Sequence, residues 1–135
     1  MMEINFQNTK MLLTDFYTIQ KIDEVETGKY SALIHLNKDH DVFKGHFPNN
    51  PVLPGVCTMQ IIKELTETIV QKSLVLSRAI NVKFMALINP VVNPTLRLEL
   101  DIETLENGEI KVKNSTFFDA TLALKLSNNY KVVSE

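Results

Sequence analysis

Cysteine occurs once, at Cys57, which excludes an internal disulfide and any cysteine-rich metal site. Glycine occurs only four times, too sparsely for a phosphate-cradling loop, and Gly28-Lys29-Tyr30 reads as a turn. Neither sign of charge predominates. Lys and Arg total 14 against 16 Asp and Glu, a formal net charge of −2. That balance leaves no large basic field for nucleic acid and no polybasic membrane anchor. No apolar run approaches the ~20 residues of a membrane span. The stretch Met1–Phe16 is broken by Glu3, Asn5, Asn8, Lys10 and Asp15, so it lacks the apolar core of a signal peptide. A reducing, cytoplasmic location is the expectation. The histidines lack metal-ligand spacing and no His-Glu-x-x-His pattern is present, so neither a metal nor another cofactor is expected.

What is present suffices for a packed fold. With 44% hydrophobic residues in 135, the chain is expected to form one domain over residues 1–135, without repeat or linker. The clearest strand is Thr95–Thr104, where Leu96, Leu98, Leu100 and Ile102 alternate with Arg97, Glu99, Asp101 and Glu103. Asn107-Gly108 then suits a tight hairpin turn, and Ile110–Phe118 and Thr121–Leu126 continue the meander. Upstream, Tyr17–Val25 and Tyr30–Leu36 pair as strands around Thr27-Gly28, and Ile80, Val82, Phe84 and Ala86 mark a further strand. Asn89-Pro90 and Asn93-Pro94 predict a bend after it.

One strong helix is predicted from Pro54-Gly55 to about Gln71–Ser73. Met59, Ile62, Leu65 and Ile69 recur at helical spacing, and Gln60, Glu64, Glu67 and Gln71 fall on the remaining face. Short helical pieces are expected at Met11–Phe16 and Asp39–Val42. Several strands around a single long helix make an α+β fold.

The segment from His40 to Val56 is restrained unusually heavily. Pro51 and Pro54 fix the path on either side of Val52-Leu53, and Gly45 frees the backbone just before His46. The same segment brings the first helix amides, at Gly55 and Val56, to the neighbourhood of His46. An imidazole beside free helix N–H groups is a proton-transfer group next to an anion site.

His46-Phe47-Pro48, Pro51-Val52 and Pro54-Gly55-Val56 stand in register with the pattern His-Phe-Pro-Gly-x-Pro-Val-x-Pro-Gly-Val. The segment thereby resembles the active-site stretch of the (3R)-hydroxyacyl-ACP dehydratases of fatty acid synthesis. Lys83-Phe84 and Pro90-Val91-Val92 resemble a second stretch of that family. The resemblance implies a hotdog fold, in which an antiparallel sheet wraps one long central helix, and edge-to-edge joining of sheets in a dimer or higher oligomer. It also implies elimination of water from a 3-hydroxyacyl thioester carried by acyl carrier protein, or by CoA, giving a trans-2-enoyl thioester. In that reaction His46 is the base at C2, since an ordinary imidazole with a pKa near ~6.5 is mostly neutral at neutral pH. The Gly55 N–H, with Val56, faces the thioester oxygen, and the acyl chain lies between helix and sheet.

The family's acid, fourteen residues after His46, is replaced by Gln60, and Glu64 stands one turn on where the family has Gln. An amide donates hydrogen bonds but delivers no proton at neutral pH. General acid–base help is worth roughly 10²–10⁴ in rate, so the exchange matters. Glu64 is the other candidate acid, reaching the site through a shifted substrate or a water. Glu67 and Gln71 are expected on a solvated face. Asn49, where the family has Gly, tolerates left-handed backbone. His35 and His40 are expected at the surface, and Cys57, Met59 and Met85 in the core. Lys44, Lys63, Arg78 and Lys83 are candidates to meet a phosphopantetheine phosphate or an acidic carrier protein. Two other readings stand beside the dehydratase: a catalytically impaired subunit that binds acyl chains or partners an active homologue, and a hotdog acyl thioesterase.

Overall fold

The computed structural model describes residues 14–44 and 50–133. Strands β1 (Tyr17–Glu26) and β2 (Lys29–Leu36) precede a single helical turn, α1 (Asp41–Lys44), and the long helix α2 (Gly55–Val70). Strands β3 (Leu74–Phe84), β4 (Thr95–Thr104), β5 (Ile110–Phe118) and β6 (Thr121–Val132) follow. They form one six-stranded sheet in the order β1-β2-β4-β5-β6-β3, with every pair antiparallel. Helix α2 therefore carries the chain from β2 across the sheet to the far edge, where β3 pairs with β6. The segment after β3 returns it to β4 beside β2. This is the α+β, hotdog arrangement.

Alternation builds the core. Ala32, Ile34 and Leu36 of β2, Leu96, Leu98 and Leu100 of β4, and Ile110 and Val112 of β5 are all buried on the helix side. Ile61, Ile62 and Leu65 of α2 meet them, each with no exposed surface. Burying a side chain of that size contributes about 1.5–3 kcal/mol before entropy is counted, so the helix is held by packing more than by propensity. The hairpin turns use left-handed residues: Gly28 (φ 79) between β1 and β2, Gly108 (φ 88) between β4 and β5, and Asp119 (φ 51) between β5 and β6. Asp119 explains how a turn without glycine closes the last hairpin.

Several boundaries differ from expectation. Helix α2 ends at Val70, because Gln71 turns left-handed (φ 57) and its N–H bonds the Glu67 carbonyl at 2.8 Å. Strand β3 begins at Leu74, earlier than Ile80, and β6 runs on to Val132 past Leu126. The polar stretch Ser127-Asn128-Asn129 reads as a turn by composition, yet Asn128 is buried and its Nδ2 donates to the buried Tyr130 hydroxyl at 3.0 Å. Met85 is half exposed (49%) rather than core filling, since it follows the end of an edge strand. The bend at Asn89–Asn93 is present: the Asn93 N–H bonds the Asn89 carbonyl, and Asn89 Oδ1 accepts from the Val91 and Val92 amides. The Asp39–Val42 turn is seen as α1, while the Met11–Phe16 piece falls mainly outside the described residues.

The two edges of the sheet differ. Strand β3 exposes Val75, Leu76 and Phe84. Strand β1 carries Lys21, Asp23, Glu24 and Glu26 and is interrupted by register shifts at Ile19/Lys21 and Glu24/Glu26. Among the described residues no helix is long and apolar enough to cross a membrane.

Candidate active site

The start of α2 is built by its two prolines. Leu53 donates its N–H to the Ile88 carbonyl at 2.8 Å, which fastens the Pro51–Pro54 segment to the loop after β3. Pro54 sits at the N-cap with φ −62 and ψ 140, and its carbonyl accepts from the Cys57 and Thr58 amides at 3.0 and 3.2 Å. The amides of Gly55 and Val56 meet no backbone carbonyl among the described residues. The first turn contains no acidic side chain and Pro54 offers no capping group, so the positive end of the helix is not neutralised by its own residues.

Beside these amides lies an apolar pocket of about 500 Å³, lined by Val52, Leu53, Gly55, Thr58, Phe84, Ile88 and Leu124 among others. The Phe84 ring approaches Gly55 closely. A Cβ on it would stand 2.6 Å from Cζ of the Phe84 ring. A larger concavity of about 860 Å³ opens on the outer face of the sheet, among Lys29, Glu99, Asp101, Lys113 and Lys125. Its charged walls do not suit an acyl chain.

Gln60 and Glu64 face elsewhere. Neither lines the pocket at Gly55. Glu64 is completely buried: Oε1 accepts from the Tyr17 hydroxyl at 2.8 Å and Oε2 from the Gln60 amide Nε2 at 2.9 Å. The phenol of Tyr17 is held well above its ordinary pKa, first by burial and then by the adjacent Glu64 carboxylate, so it stays a donor. Tyr17 was not among the expected site residues. It lies 47 positions from Glu64 and belongs to a strand that reads as ordinary sheet. Gln60 itself is only half-buried. One chain thus brings the Gln60–Glu64 pair together, and the Gly55 amide with the apolar pocket, but neither Gln60 nor Glu64 lines that pocket.

His46, with Gly45 and Phe47–Asn49, lies outside the described residues. Glu67 is not fully solvated as expected: its Oε2 accepts from the Leu74 amide at 2.9 Å and pairs with Lys63 at 3.5 Å, tying the end of α2 to β3. Gln71 is exposed. Cys57 is buried, and desolvation raises its thiol pKa, opposite to what a reactive thiolate needs. His35 is exposed, whereas His40 is half-buried, its Nε2 3.0 Å from the Thr14 carbonyl and its ring edge-on to Phe16. Of the candidate phosphate contacts, Lys44 pairs with Asp41 and Lys63 with Glu67, while Arg78 and Lys83 lie exposed on the β3 edge.

Comparison with known proteins agrees with this geometry. The family model for ApeI-like dehydratases matches residues 21–120. The chain is 32% identical over 119 residues to the 3-hydroxyacyl-[acyl-carrier-protein] dehydratase FabZ of Acetivibrio thermocellus, covering 80% of this chain and 78% of that protein. It is 27% identical over 127 residues to FabZ of Alkaliphilus metalliredigens, covering 88% and 85%. In fold it is similar to a chain of the dehydratase heterocomplex ApeI:P from Xenorhabdus doucetiae, with a TM-score of 0.65 at 20% identity, covering 87% of this chain and 97% of that one. With a helix laid on an antiparallel sheet, a Pro-Gly-Val helix start beside an apolar pocket, and a family match across most of its length, the chain belongs to the ApeI-like dehydratases, a hotdog-fold family of 3-hydroxyacyl-ACP dehydratase-like proteins.

Proposed function

We propose that the chain eliminates water from a (3R)-3-hydroxyacyl thioester on acyl carrier protein, giving the trans-2-enoyl thioester in fatty acid or related acyl metabolism. The observation that carries this reading is the pair of amides at Gly55 and Val56, which meet no backbone carbonyl among the described residues, at a helix start beside an apolar pocket of about 500 Å³. Elimination develops negative charge on the thioester oxygen, and helix N–H groups with no competing carboxylate suit that oxygen. The apolar pocket suits the acyl chain. His46 takes the proton from C2. The C3–O bond then breaks, and the leaving oxygen needs a proton to depart as water. Gln60 cannot supply it, and Glu64 is buried behind Gln60, so the imidazolium formed at His46 returns its proton to the leaving oxygen while Gln60 holds the hydroxyl by a hydrogen bond.

Because neither Gln60 nor Glu64 lines the pocket at Gly55, the complete site needs a second copy. Strand β3 is an edge of the sheet and exposes Val75, Leu76 and Phe84, which supports a homodimer joined along that edge. A heterodimer with a homologue satisfies the same geometry. The second reading, an impaired subunit supporting an active homologue, draws on the Gln60–Glu64 bond, which leaves no carboxyl directed outward. Appearance of enoyl absorbance from a 3-hydroxyacyl-ACP thioester tests the choice, with the purified chain alone and with co-encoded homologues. Turnover by the chain alone supports the first reading. Turnover only with a homologue supports the second, and free thiol without enoyl product would indicate a thioesterase.

A further inference from the structure

A hydroxyl shut inside a protein is spent on a partner, and a threonine within a helix can spend it on the carbonyl four residues back. Helix α2 buries three threonines, Thr58, Thr66 and Thr68. Two of them do so: Thr66 donates to the Ile62 carbonyl at 2.8 Å and Thr68 to the Glu64 carbonyl at 2.9 Å. Thr58, at 4% exposure, does not, and among the described residues its hydroxyl meets no hydrogen-bond partner. The reason lies in the helix start. The carbonyl four residues back is that of Pro54, which already accepts the Cys57 and Thr58 amides at 3.0 and 3.2 Å, so both of its lone pairs are taken. Nor is the Thr58 oxygen sealed away. Among the described residues, the sealed side-chain atoms without a partner are Asn128 Oδ1 and Asn129 Oδ1. The little surface that Thr58 keeps therefore includes its hydroxyl, and Thr58 lines the apolar pocket beside Gly55.

Every other described side chain that lines this pocket is apolar. A plain alkyl chain entering it covers the Thr58 hydroxyl and leaves it unpaired, whereas a ligand with an oxygen at that depth pairs with it. Gly55 and Thr58 stand three residues apart on one face of the helix, within a single turn of about 5.4 Å. With the thioester oxygen at the Gly55 amide, C3 is two bonds from the thioester carbon, and its hydroxyl falls within the span of that turn. We propose that Thr58 is a specificity-determining residue, whose hydroxyl hydrogen-bonds the C3 hydroxyl of the bound acyl chain and so selects 3-hydroxyacyl groups over saturated ones. The unspent hydroxyl in the pocket stands on the geometry alone, and the identity of its partner rests on the dehydratase reading. By accepting the C3 hydroxyl proton, Thr58 leaves the lone pairs of that oxygen free for the imidazolium, so that Thr58 orients the leaving group and the imidazole protonates it.

The test measures, by calorimetry on the full-length chain, the affinity of two non-reactive ligands. Both are pantetheine analogues in which an amide replaces the thioester, one carrying a (3R)-3-hydroxyoctanoyl chain and the other an octanoyl chain. The wild type is expected to bind the hydroxylated ligand on the order of 10-fold more tightly. Thr58→Val, which keeps the shape and removes the hydroxyl, is expected to bring that ratio below about 2-fold, and Thr58→Ser to keep it. A folded Thr58→Val with the wild-type ratio overturns the proposal, as does a wild type that binds both ligands equally or neither. If Thr58→Val loses the ratio while the wild type turns over no 3-hydroxyacyl-ACP, the hydroxyl contact stands and the dehydratase reading falls. If the wild type turns over that thioester and Thr58→Val keeps the ratio, the contact falls and the reading stands. Should Thr58→Val fail to fold, Thr58→Ser and Thr58→Ala decide by the same measurement: a ratio kept by serine and lost by alanine supports the proposal, and equal ratios in the two overturn it.

Discussion

Substituting Gln60 by glutamate restores the residue type of the family's acid, and the structure shows what that carboxyl would meet. Its oxygens would occupy the place of an amide nitrogen 2.9 Å from Glu64 Oε2. Two full negative charges at about 3 Å repel by roughly 5–6 kcal/mol at an effective dielectric of ~20, equivalent to about four pH units. The pair in the variant therefore keeps one proton through neutral pH, shared in a short O–H···O bond. Its half-buried side makes that repulsion an upper bound.

Two consequences follow from the retained proton. The variant carries a carboxylic acid beside the substrate, so dehydration, followed by enoyl absorbance, is expected to rise on the order of 10²-fold, and to decline again as pH climbs through the upper titration of the pair. The folded variant also binds a proton that its unfolded chain releases above about pH 4.3. Its stability relative to wild type is thus expected to fall by ~1.4 kcal/mol per pH unit, reaching up to about 3.7 kcal/mol at pH 7. Urea denaturation of both proteins between pH 5 and 8 measures this directly. Parallel stability curves would show that no proton is retained, and the adjacency of the two carboxyl groups would be refuted.

His46→Ala should abolish turnover while a non-reactive substrate analogue still binds by calorimetry; full turnover would remove His46 from the mechanism. Gly55→Ala should fold, because Phe84 is an exposed side chain (58%) whose ring can swing aside, but it should raise KM for long acyl chains by disturbing the pocket mouth, and an unaltered chain-length profile would contradict that. Cys57, with its thiol pKa raised by burial, should react slowly with a disulfide reagent at pH 8 and rapidly once unfolded; fast native labelling would place it outside the core.

Local pattern carried much of the fold. Strands β4 and β5 were legible to the residue, because apolar and charged residues alternate through β4 and into β5 and Asn107-Gly108 marks the turn. The start of β3 was not, since Leu74-Val75-Leu76 lacks alternation on an edge whose outer side is open. The end of β6 was hidden by Asn128 and Asn129, whose composition says turn while their partners across the sheet, Ala79 and Arg78, say strand. The helix start at Gly55 was legible from its prolines. The state of Glu64 was not. A carboxylate at helical spacing with Gln60 and Glu67 reads as solvated, and the Tyr17 hydroxyl that meets it when buried is supplied from β1 by the tertiary fold.

The charged, twice-interrupted strand β1 has a consequence for how the sheet ends. A sheet with two receptive edges can add copies at both, and growth of that kind runs on into fibres. Among the described residues only β3 offers a row of apolar side chains at an open edge. On β1, an incoming strand would have to match two register shifts and stack its side chains against Lys21, Asp23, Glu24 and Glu26. Those devices make β1 a poor edge for addition, so that any association along β3 would close on itself after one addition instead of running on into a polymer.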